Sequence, residues 1–182
     1  MLAPSAWVVR FATGIRKGGT VLDVAAGGGR HARYLRELGF RTVAVDIDVS
    51  RMNDLADDDG VELVAADLES GPWPFPERRF DGVVVTNYLH RPLLSMLAES
   101  LAPDGLLIYE TFAEGNERYG RPSNPSFLLR DGELLEVFSE LSVIDYEHGF
   151  EERPRPAVRQ RICAKQSGTK PLNADAHAER WR

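Results

Sequence analysis

Strand-like and helix-like segments alternate along most of the chain. Runs of apolar residues bounded by turn residues are typical of β-strands, and we predict strands at 20–26, 41–47, 61–67, 80–87, 106–112, 142–149 and 157–165. Segments with helical spacing or composition lie around them, at 5–15, 29–39, 49–58, 91–102 and 131–141. Turn-forming residues dominate the stretches 71–79 and 113–125, which we predict to be loops.

This alternation predicts an α/β domain with a mostly parallel sheet of seven strands and helices on both faces. The last two strands are too close in sequence for a helical crossover, so they should form a hairpin that makes the last strand antiparallel. We predict one domain over residues 1–166. Residues 167–182 have weak periodicity and are predicted to be a mobile tail.

Composition narrows the class of protein. Of the 182 residues, 43% are hydrophobic and 27% are charged, as in ordinary folded domains. No apolar run approaches the roughly 20 residues that span a bilayer. The first residues also lack the order of charged and then apolar residues that a signal peptide has. We therefore expect a cytoplasmic protein without a membrane partner. The single cysteine, Cys163, excludes an internal disulfide, and no metal-ligand spacing is present. The net charge of −6 argues against a nucleic-acid partner. No pattern indicates an oligomeric state.

Three consecutive glycines, Gly27 to Gly29, follow the first predicted strand. Ligands of open parallel sheets bind beyond the carboxyl ends of the strands, and glycine lets the backbone approach them closely. Asp46 ends the second predicted strand, 19 residues after Gly27. This is the position of a carboxylate that accepts hydrogen bonds from both hydroxyls of a ribose. The pattern therefore predicts a nucleoside-containing ligand.

Two nucleoside ligands fit the glycines to different degrees. Gly27, Gly29 and Ala32 satisfy the fingerprint of dinucleotide-binding proteins. Three features favour S-adenosylmethionine instead. Asp23 lies inside the end of the strand, where it could meet an ammonium group but would repel a pyrophosphate. Asp67 closes the third strand, where it could accept from an adenine amino group. The closing hairpin is also foreign to the usual dinucleotide fold.

In these segments the chain resembles the class I S-adenosylmethionine-dependent methyltransferases. Their glycine motif appears as DVAAGGG, the ribose-binding acid as VAVDID and the adenine-side acid as AADL, while FDGVVVTNYLH and LAPDGLLIYETF match the motifs of the fourth and fifth strands. The resemblance covers residues 5–165 and implies a Rossmann-like three-layer fold and S-adenosylmethionine as cofactor. The implied cofactor-binding residues are Asp23, Ala25, Gly27, Gly28, Gly29, Asp46, Ile47, Asp67, Leu68 and Asn87.

The chain departs from the family's glycine motif at one position. Ala25 occupies a position where the family usually has glycine, and a methyl group fits there only if φ is negative.

Among subfamilies the chain looks most like the small tellurite-resistance-like methyltransferases, on the strength of NYLHRPL and ETF. In a plainer interpretation the glycines serve helix–sheet packing, and Asp46 and Asp67 are helix N-caps.

The loop after the fourth strand offers the candidate catalytic residues Tyr88 and His90. The methyl group of the cofactor is already activated for in-line displacement, so alignment supplies much of the catalysis. An ordinary imidazole pKa near 6.5 makes His90 the candidate general base, although a solvent-facing histidine at a helix start is an equal alternative. The sequence NYLH lacks the two prolines of enzymes that methylate nucleobase amino groups.

Arginines gather in the three loops expected to surround the acceptor. These candidate substrate-binding residues are Arg91, Arg118, Arg121, Arg153 and Arg155. Guanidinium groups suit carboxylates, phosphates and other oxyanions, so the clustering suggests a small anionic acceptor; pairing with glutamates of the same loops is the alternative. Two rival functions are an RNA or protein methyltransferase that uses the basic stretch 153–161, and a non-catalytic cofactor-binding protein.

Overall fold

The computed structural model describes residues 3–168 as one seven-stranded sheet with helices on both faces. The strands are β1 (Thr20–Val24), β2 (Arg41–Asp46), β3 (Val61–Ala65), β4 (Phe80–Thr86), β5 (Leu101–Phe112), β6 (Ser142–Glu151) and β7 (Ala157–Lys165). The α-helices are α1 (Ala6–Ala12), α2 (Arg30–Glu37), α3 (Leu94–Glu99) and α4 (Glu133–Val137). Short 3-10 helices cover Ser50–Leu55, Arg91–Leu93, Asn116–Arg118 and Pro125–Phe127.

The strand order is β3-β2-β1-β4-β5-β7-β6. The pairs among β1 to β5 are parallel, whereas β7 is antiparallel to both of its neighbours. The predicted Rossmann-like fold with an antiparallel last strand is therefore confirmed. The order of strands reverses between β1 and β4, and a crevice opens there beyond their carboxyl ends.

Side chains of the central strands alternate between two apolar layers. Leu22 and Leu107 belong to the layer that contacts α3 and α4, while Val21 and Ile108 belong to the layer under α1 and α2. Because side chains alternate along a strand, Asp23 and Glu110 lie on the same side as Val21 and Ile108. Both carboxylates are thus directed toward the face that carries α1 and α2.

Helix α1 is attached to this face by polar contacts at its start. The hydroxyl of Ser5 accepts hydrogen bonds from the N–H groups of Trp7 and Val8, as an N-cap does. The indole Nε1 of Trp7 donates to the carbonyl of Ile162 on β7 at 3.2 Å. The segment before α1 is thereby held beside the carboxyl ends of the strands.

Several predicted elements have different bounds or types. The helix expected at 49–58 is the 3-10 helix Ser50–Leu55. The helix expected at 91–102 ends at Glu99, and the turn residues 103–105 lie inside β5, where a register shift separates two stretches of pairing with β4. The helix expected at 131–141 shortens to Glu133–Val137. The predicted tail from residue 169 onward lies outside the described residues.

Within residues 3–168, no helix has the length and apolar character that a membrane crossing requires.

Candidate functional site

The glycine loop after β1 is built around left-handed backbone. Gly27 has φ +58° and Gly29 has φ +73°, conformations that favour glycine. A side chain at Gly29 would come within 2.6 Å of Met52 Cγ, so this glycine also permits close packing. A Cβ at Gly27 would meet nothing within 4 Å. The loop is therefore open to a ligand at Gly27 and closely packed at Gly29.

Ala25 departs from what its side chain predicts. We expected a negative φ, but the structure has φ +52°, so that expectation was wrong. The backbone follows the left-handed path that glycine would follow, and an alanine in this conformation costs about 1–2 kcal/mol because its Cβ crowds the following carbonyl. The loop therefore holds an alanine in backbone that favours glycine.

Asp46 is oriented by two backbone N–H groups. Its Oδ2 accepts from the N–H of Gly27 at 2.8 Å, and its Oδ1 accepts from the N–H of Asp48 at 3.1 Å. A carboxylate has about four lone-pair positions, so each oxygen retains the capacity for a further hydrogen bond. Asp46 therefore joins the end of β2 to the glycine loop and could still accept from the two hydroxyls of a ribose.

A cavity of about 360 Å³ opens beside Asp46, and we call it the adenosine-side cavity. Its lining residues are Ala25, Asp46, Ile47, Ala66, Asp67, Leu68, Glu69, Ser70 and Tyr88. Ile47 is 70% exposed, although an aliphatic side chain normally favours burial. An apolar side chain beside a cavity that also contains carboxylates suits a flat, heteroaromatic base attached to a sugar.

Asp67 stabilises a turn at the edge of the adenosine-side cavity, and its predicted contact with the adenine amino group stays a prediction. Its Oδ1 accepts from the N–H groups of Glu69 and Ser70 at 2.9 and 3.0 Å. These backbone hydrogen bonds keep the pKa of Asp67 below its usual range. The contacts stabilise the turn, as a capping residue would, and they also fix a negative charge at the wall of the adenosine-side cavity.

Asp23 is a buried carboxylate whose hydrogen-bonding capacity is unfilled. It is 1% exposed, and its Oδ2 has no hydrogen-bond partner in the part of the chain that the structure describes. Burial raises the pKa of Asp23 to about 7, against weaker opposing effects that include the charge of Arg30. A buried unpaired carboxylate is costly. The ammonium group of an amino-acid moiety would satisfy it, so these residues fit S-adenosylmethionine.

A second and larger cleft lies over the carboxyl ends of β5 and β6 and the amino end of the antiparallel β7. Its volume is about 610 Å³, and we call it the arginine cleft. The charged lining residues are Arg10, Arg30, Arg153, Arg159, Arg161, Glu110, Glu147 and Glu151. Asn87 at the end of β4 and the segment before α1 complete the walls. Five arginines against three glutamates give this cleft an excess of positive charge in an otherwise acidic protein.

The three glutamates of the arginine cleft are all ion-paired. Glu110 accepts from Arg161 Nε at 2.9 Å, and Glu151 accepts from Arg159 Nε at 2.6 Å and also pairs with Arg161. Glu147 pairs with Arg10 and Arg161, at 3.3 and 3.4 Å. Glu110 is the most buried of the three, at 5% exposure. The cleft thus has a rigid floor of interlocked charges.

Two arginines of this cleft have no such partner. Within residues 3–168, neither Arg30 nor Arg153 forms a salt bridge, and Arg30 makes only a 3.4 Å contact to the carbonyl of Ala3. Both guanidinium groups therefore retain donors for a ligand. Arg153 was predicted to bind substrate, whereas Arg30 follows the glycine motif and went unnoticed in the sequence.

The other predicted substrate-binding arginines are dispersed. Arg91 clamps the buried Glu133 with two hydrogen bonds, of 2.6 and 2.9 Å, and donates to two loop carbonyls, so its guanidinium is engaged. Arg118 lines a separate cavity near Glu117. Arg121 and Arg155 are exposed. The structure therefore brings Arg153 to the cleft but does not bring these four arginines together with it.

Tyr88 and His90 occupy different surroundings. Tyr88 lines the adenosine-side cavity and a smaller cavity of about 180 Å³ beside Asn87 and Phe112. Burial raises the pKa of Tyr88 to about 12, and its hydroxyl is without a hydrogen-bond partner in the described region. His90 is half-buried and contributes to the low pKa of Asp67. It lines neither the adenosine-side cavity nor the arginine cleft. Catalytic roles for both stay predictions.

His31 is a structural residue of the site that sequence reasoning missed. Its Nε2 accepts from the N–H of Ser5 at 3.1 Å, so Nδ1 carries the proton and donates to Thr86 Oγ1 at 3.2 Å. Burial, reinforced by the positive charge of Arg30, lowers the pKa of His31 to about 4. The neutral imidazole ties the segment before α1 to α2 and β4. No local pattern distinguishes it from a helix-face histidine.

With the geometry established, comparison with known proteins identifies the class. The family described as "Methyltransferase domain" matches residues 2–151. The match covers far more than half of the chain, which therefore belongs to this methyltransferase domain family. The resemblance predicted from the sequence is confirmed, and neighbours solved with S-adenosylhomocysteine bound support the cofactor that it implies. No protein with a curated description matches the chain.

Several solved methyltransferases share the fold of this chain. TehB from Haemophilus influenzae is 19% identical, with a TM-score of 0.76 over 92% of this chain and 64% of that chain. A TehB-like methyltransferase from Corynebacterium glutamicum is 19% identical, with a TM-score of 0.64 over 88% and 87% of the two chains. The 1,6-didemethyltoxoflavin-N1-methyltransferase of Burkholderia thailandensis is 23% identical, with a TM-score of 0.66 over 89% and 76%. The chain thus spans slightly less than two thirds of TehB, and the TM-scores establish a shared fold.

Proposed function

We propose that this methyltransferase transfers a methyl group to a small anionic acceptor bound in the arginine cleft. The observation that carries the proposal is the pair of guanidinium groups, Arg30 and Arg153, that have no carboxylate partner within the described residues, in a cleft whose three glutamates are already ion-paired. Guanidinium groups bind oxyanions through paired N–H donors. The Burkholderia thailandensis neighbour was solved with the small molecule 1,6-didemethyltoxoflavin bound, which supports an acceptor of similar size.

The proposed cofactor contacts follow from the residues of the first three strands. Asp46 would accept from the ribose hydroxyls, Asp67 from the adenine amino group, and the buried Asp23 from the ammonium group. Ile47 and Leu68 would contact the base, and the glycine loop from Ala25 through Gly27, Gly28 and Gly29 would approach the amino-acid moiety. Asn87 stands at the border of the arginine cleft, where cofactor and acceptor would meet.

Catalysis by this chain would consist mainly of alignment. When bound, S-adenosylmethionine supplies a methyl group that is activated by the positive sulfur. The chain would hold the acceptor in line with that group by pairing its charge with Arg30 and Arg153, and it would exclude water with the segment before α1. Fixing two reactants in the productive geometry accounts for several kcal/mol of barrier reduction.

A macromolecular acceptor has weaker support. The basic stretch 153–161 was the feature that suggested RNA or protein, but Arg159 and Arg161 are engaged with Glu110 and Glu151 in the cleft. Their side chains are largely covered, at 16% and 19% exposure. Only Arg153 and Arg155 of that stretch remain for a phosphate backbone, which is a small electrostatic contribution.

A transfer assay tests the proposal directly. The protein is incubated with methyl-labelled S-adenosylmethionine and, separately, with the small-molecule, RNA and protein fractions of a cell extract. We expect label in small molecules that an anion exchanger retains, and the variant Asp46→Ala should transfer none. Label found only in RNA or protein would contradict the proposed acceptor, and label in no fraction would favour the non-catalytic alternative.

A further inference from the structure

Asn87 directly follows β4, and its hydrogen bond to Arg159 determines which way its side-chain amide is turned. Its Oδ1 accepts a hydrogen bond from Arg159 Nη1 at 2.6 Å. Arginine has only donors, so the oxygen of the Asn87 amide must face Arg159. Among residues 3–168 the Nδ2 group of Asn87 has no partner. Asn87 lines both the arginine cleft and the smaller cavity beside Tyr88, so its free N–H groups serve as donors at the border between them.

We infer that Arg159 is a positioning residue that makes Asn87 a hydrogen-bond donor to an oxyanion of the methyl acceptor, and that this arrangement selects an oxygen nucleophile over an amine. The inference rests on the proposed function. According to this inference, the acceptor site offers hydrogen-bond donors and few acceptors. The N–H groups of an amine find no free amide oxygen on Asn87, because that oxygen already accepts a hydrogen bond from Arg159. An acceptor with lone pairs and negative charge finds both the Asn87 donors and the positive charge of the cleft.

Arg159 is itself held so firmly that the orientation cannot easily reverse. Its Nε donates to Glu151 at 2.6 Å, and its guanidinium carbon lies 4.1 Å from the centre of the Phe112 ring, within the range of a cation–π contact. The backbone of Asn87 is fixed as well. It has φ +55°, which asparagine tolerates better than most residues, and its N–H donates to the carbonyl of Glu110 at 3.0 Å.

The carboxylates of the cleft support the same class of acceptor. An aliphatic amine is protonated near neutral pH and must lose a proton before or during methylation, which requires a base. Glu110, Glu147 and Glu151 are all engaged with arginines, so none of them stands free for that task. An oxyanion needs no base: its lone pair forms the new bond to the methyl carbon as the carbon–sulfur bond breaks. S-adenosylhomocysteine then leaves as a neutral thioether, and no proton moves.

Nuclear magnetic resonance of the Asn87 amide tests the inference. The protein carries ¹⁵N in its asparagine side chains and is saturated with S-adenosylhomocysteine; Asn87→Asp identifies the Asn87 signals by their loss. The probes are benzoate and benzylamine, which share a ring and differ in the polar group. We expect benzoate to shift both Nδ2–H signals of Asn87 in a saturable way and benzylamine to leave them in place. Shifts with benzylamine alone, or no shift with benzoate, would overturn the inference.

Two variants separate positioning from simple charge. Arg159→Lys keeps the positive charge but cannot join Glu151 and Asn87 through one planar fork, so we expect benzoate binding to weaken about tenfold while S-adenosylhomocysteine binding is unchanged. Unchanged benzoate binding in Arg159→Lys would show that only charge matters and would overturn the positioning role. The matched control is Lys165→Ala, which removes a 2.8 Å ion pair with Asp104 at the other end of β7 and should behave as the unmodified protein.

The same experiment distinguishes the two proposals. If S-adenosylhomocysteine does not bind, the proposed function fails, and the inference built on it fails too. If S-adenosylhomocysteine binds and saturates but benzoate leaves the Asn87 signals unmoved, only the inference is overturned.

Discussion

The two halves of the carboxyl edge of the sheet are built by different means. On the side of β1, β2 and β3, the site consists of backbone N–H groups, left-handed residues and separate carboxylates, each oriented by its own loop. On the side of β5, β6 and β7, charged side chains from three strands interlock, as in the chain of contacts from Glu110 through Arg161 and Glu151 to Arg159. The first half could hold a fixed cofactor, whereas the second presents a charged surface whose chemistry depends on which groups are left unpaired.

This difference explains why one half carries a recognisable pattern and the other does not. Backbone-built sites need glycine or an acid at set positions along the chain, so their signal is local. Interlocked ion pairs join residues that are far apart in sequence, such as Asn87 and Arg159. The predictions that follow break or sharpen the division, beginning with the largest expected effect.

Asp46→Ala should abolish most cofactor binding. In the proposed site the variant would lose two charge-assisted hydrogen bonds to the ribose, each worth roughly 1.5–3 kcal/mol, and it leaves the N–H of Gly27 without its acceptor. We expect S-adenosylhomocysteine affinity to fall at least about a hundredfold, measured by titration calorimetry. The control is Asp54→Ala, a carboxylate that pairs with Arg33 at the surface. Equal affinity in Asp46→Ala and the unmodified protein would remove Asp46 from the site.

Arg91→Ala should act on stability. Glu133 is 2% exposed and bonded to Arg91 through both oxygens. The variant removes this main ion pair and leaves the buried carboxylate only its contacts to Arg130, at 2.8 Å from the N–H and 3.5 Å from Nε, which costs about 3 kcal/mol. Arg153→Ala, at an exposed loop position, should change the free energy of unfolding by less than about 0.5 kcal/mol. Urea denaturation of both variants provides the comparison. Similar stability in the two would show that the Arg91–Glu133 pair is not a structural clamp.

Asp23→Asn should remove a pH dependence of stability. The carboxyl of the folded protein keeps its proton up to about pH 7, whereas the unfolded chain releases it near pH 4. Stability of the ligand-free protein should therefore fall as pH rises through 7, by about 1.4 kcal/mol between pH 6 and 8. His31 has the opposite slope but only below about pH 6.5.

Asparagine at position 23 does not ionise, so the variant should lack this fall and should also bind S-adenosylhomocysteine more weakly. Denaturation curves at a series of pH values measure the first effect. A fall of the same size in Asp23→Asn would assign the pH dependence to another group.

Ala25→Gly should stabilise the protein slightly. The left-handed conformation costs alanine about 1–2 kcal/mol, and glycine removes this cost. The greater freedom of glycine in the unfolded chain offsets part of the benefit, so we expect the free energy of unfolding to rise by about 1 kcal/mol. Ala26→Gly is the matched control, because Ala26 is buried and loses packing. A drop in melting temperature for Ala25→Gly equal to that of Ala26→Gly would contradict the strain at position 25.

Much of this molecule was predictable from its sequence, for identifiable reasons. The mostly parallel sheet and its antiparallel last strand follow from the alternating elements and the short connection before β7. The placement of Asp23, Asp46 and Asp67 at one edge of the sheet follows from their positions at the strand ends. The 3-10 helix Ser50–Leu55 and the early start of β5 were not predicted, because tertiary pairing overrides local propensity there.

The acceptor side was predicted less well, because the position of each charged side chain there depends on which distant residue it pairs with. Sequence placed Arg91 and Arg153 in equivalent loops, yet a buried glutamate engages one and no carboxylate of the described region engages the other. The left-handed backbone at Ala25 also ran against its residue type, since the surrounding loop imposes the conformation. Such features depend on contacts between residues that are far apart in the sequence, and a local sequence pattern does not encode those contacts.

The central claim is that the glycine loop and its carboxylates hold an adenosyl cofactor in a site separate from the acceptor cleft. The most direct test is thermal unfolding of the unmodified protein, Asp46→Ala and Arg153→Ala with S-adenosylhomocysteine and with NAD. At about 100 times its Kd a ligand adds roughly 2.7 kcal/mol, a shift on the order of 5–10 °C for a domain of this size. We predict that shift with S-adenosylhomocysteine for the unmodified protein and Arg153→Ala, none for Asp46→Ala, and none with NAD. A shift with NAD alone, or equal losses in both variants, would contradict the account.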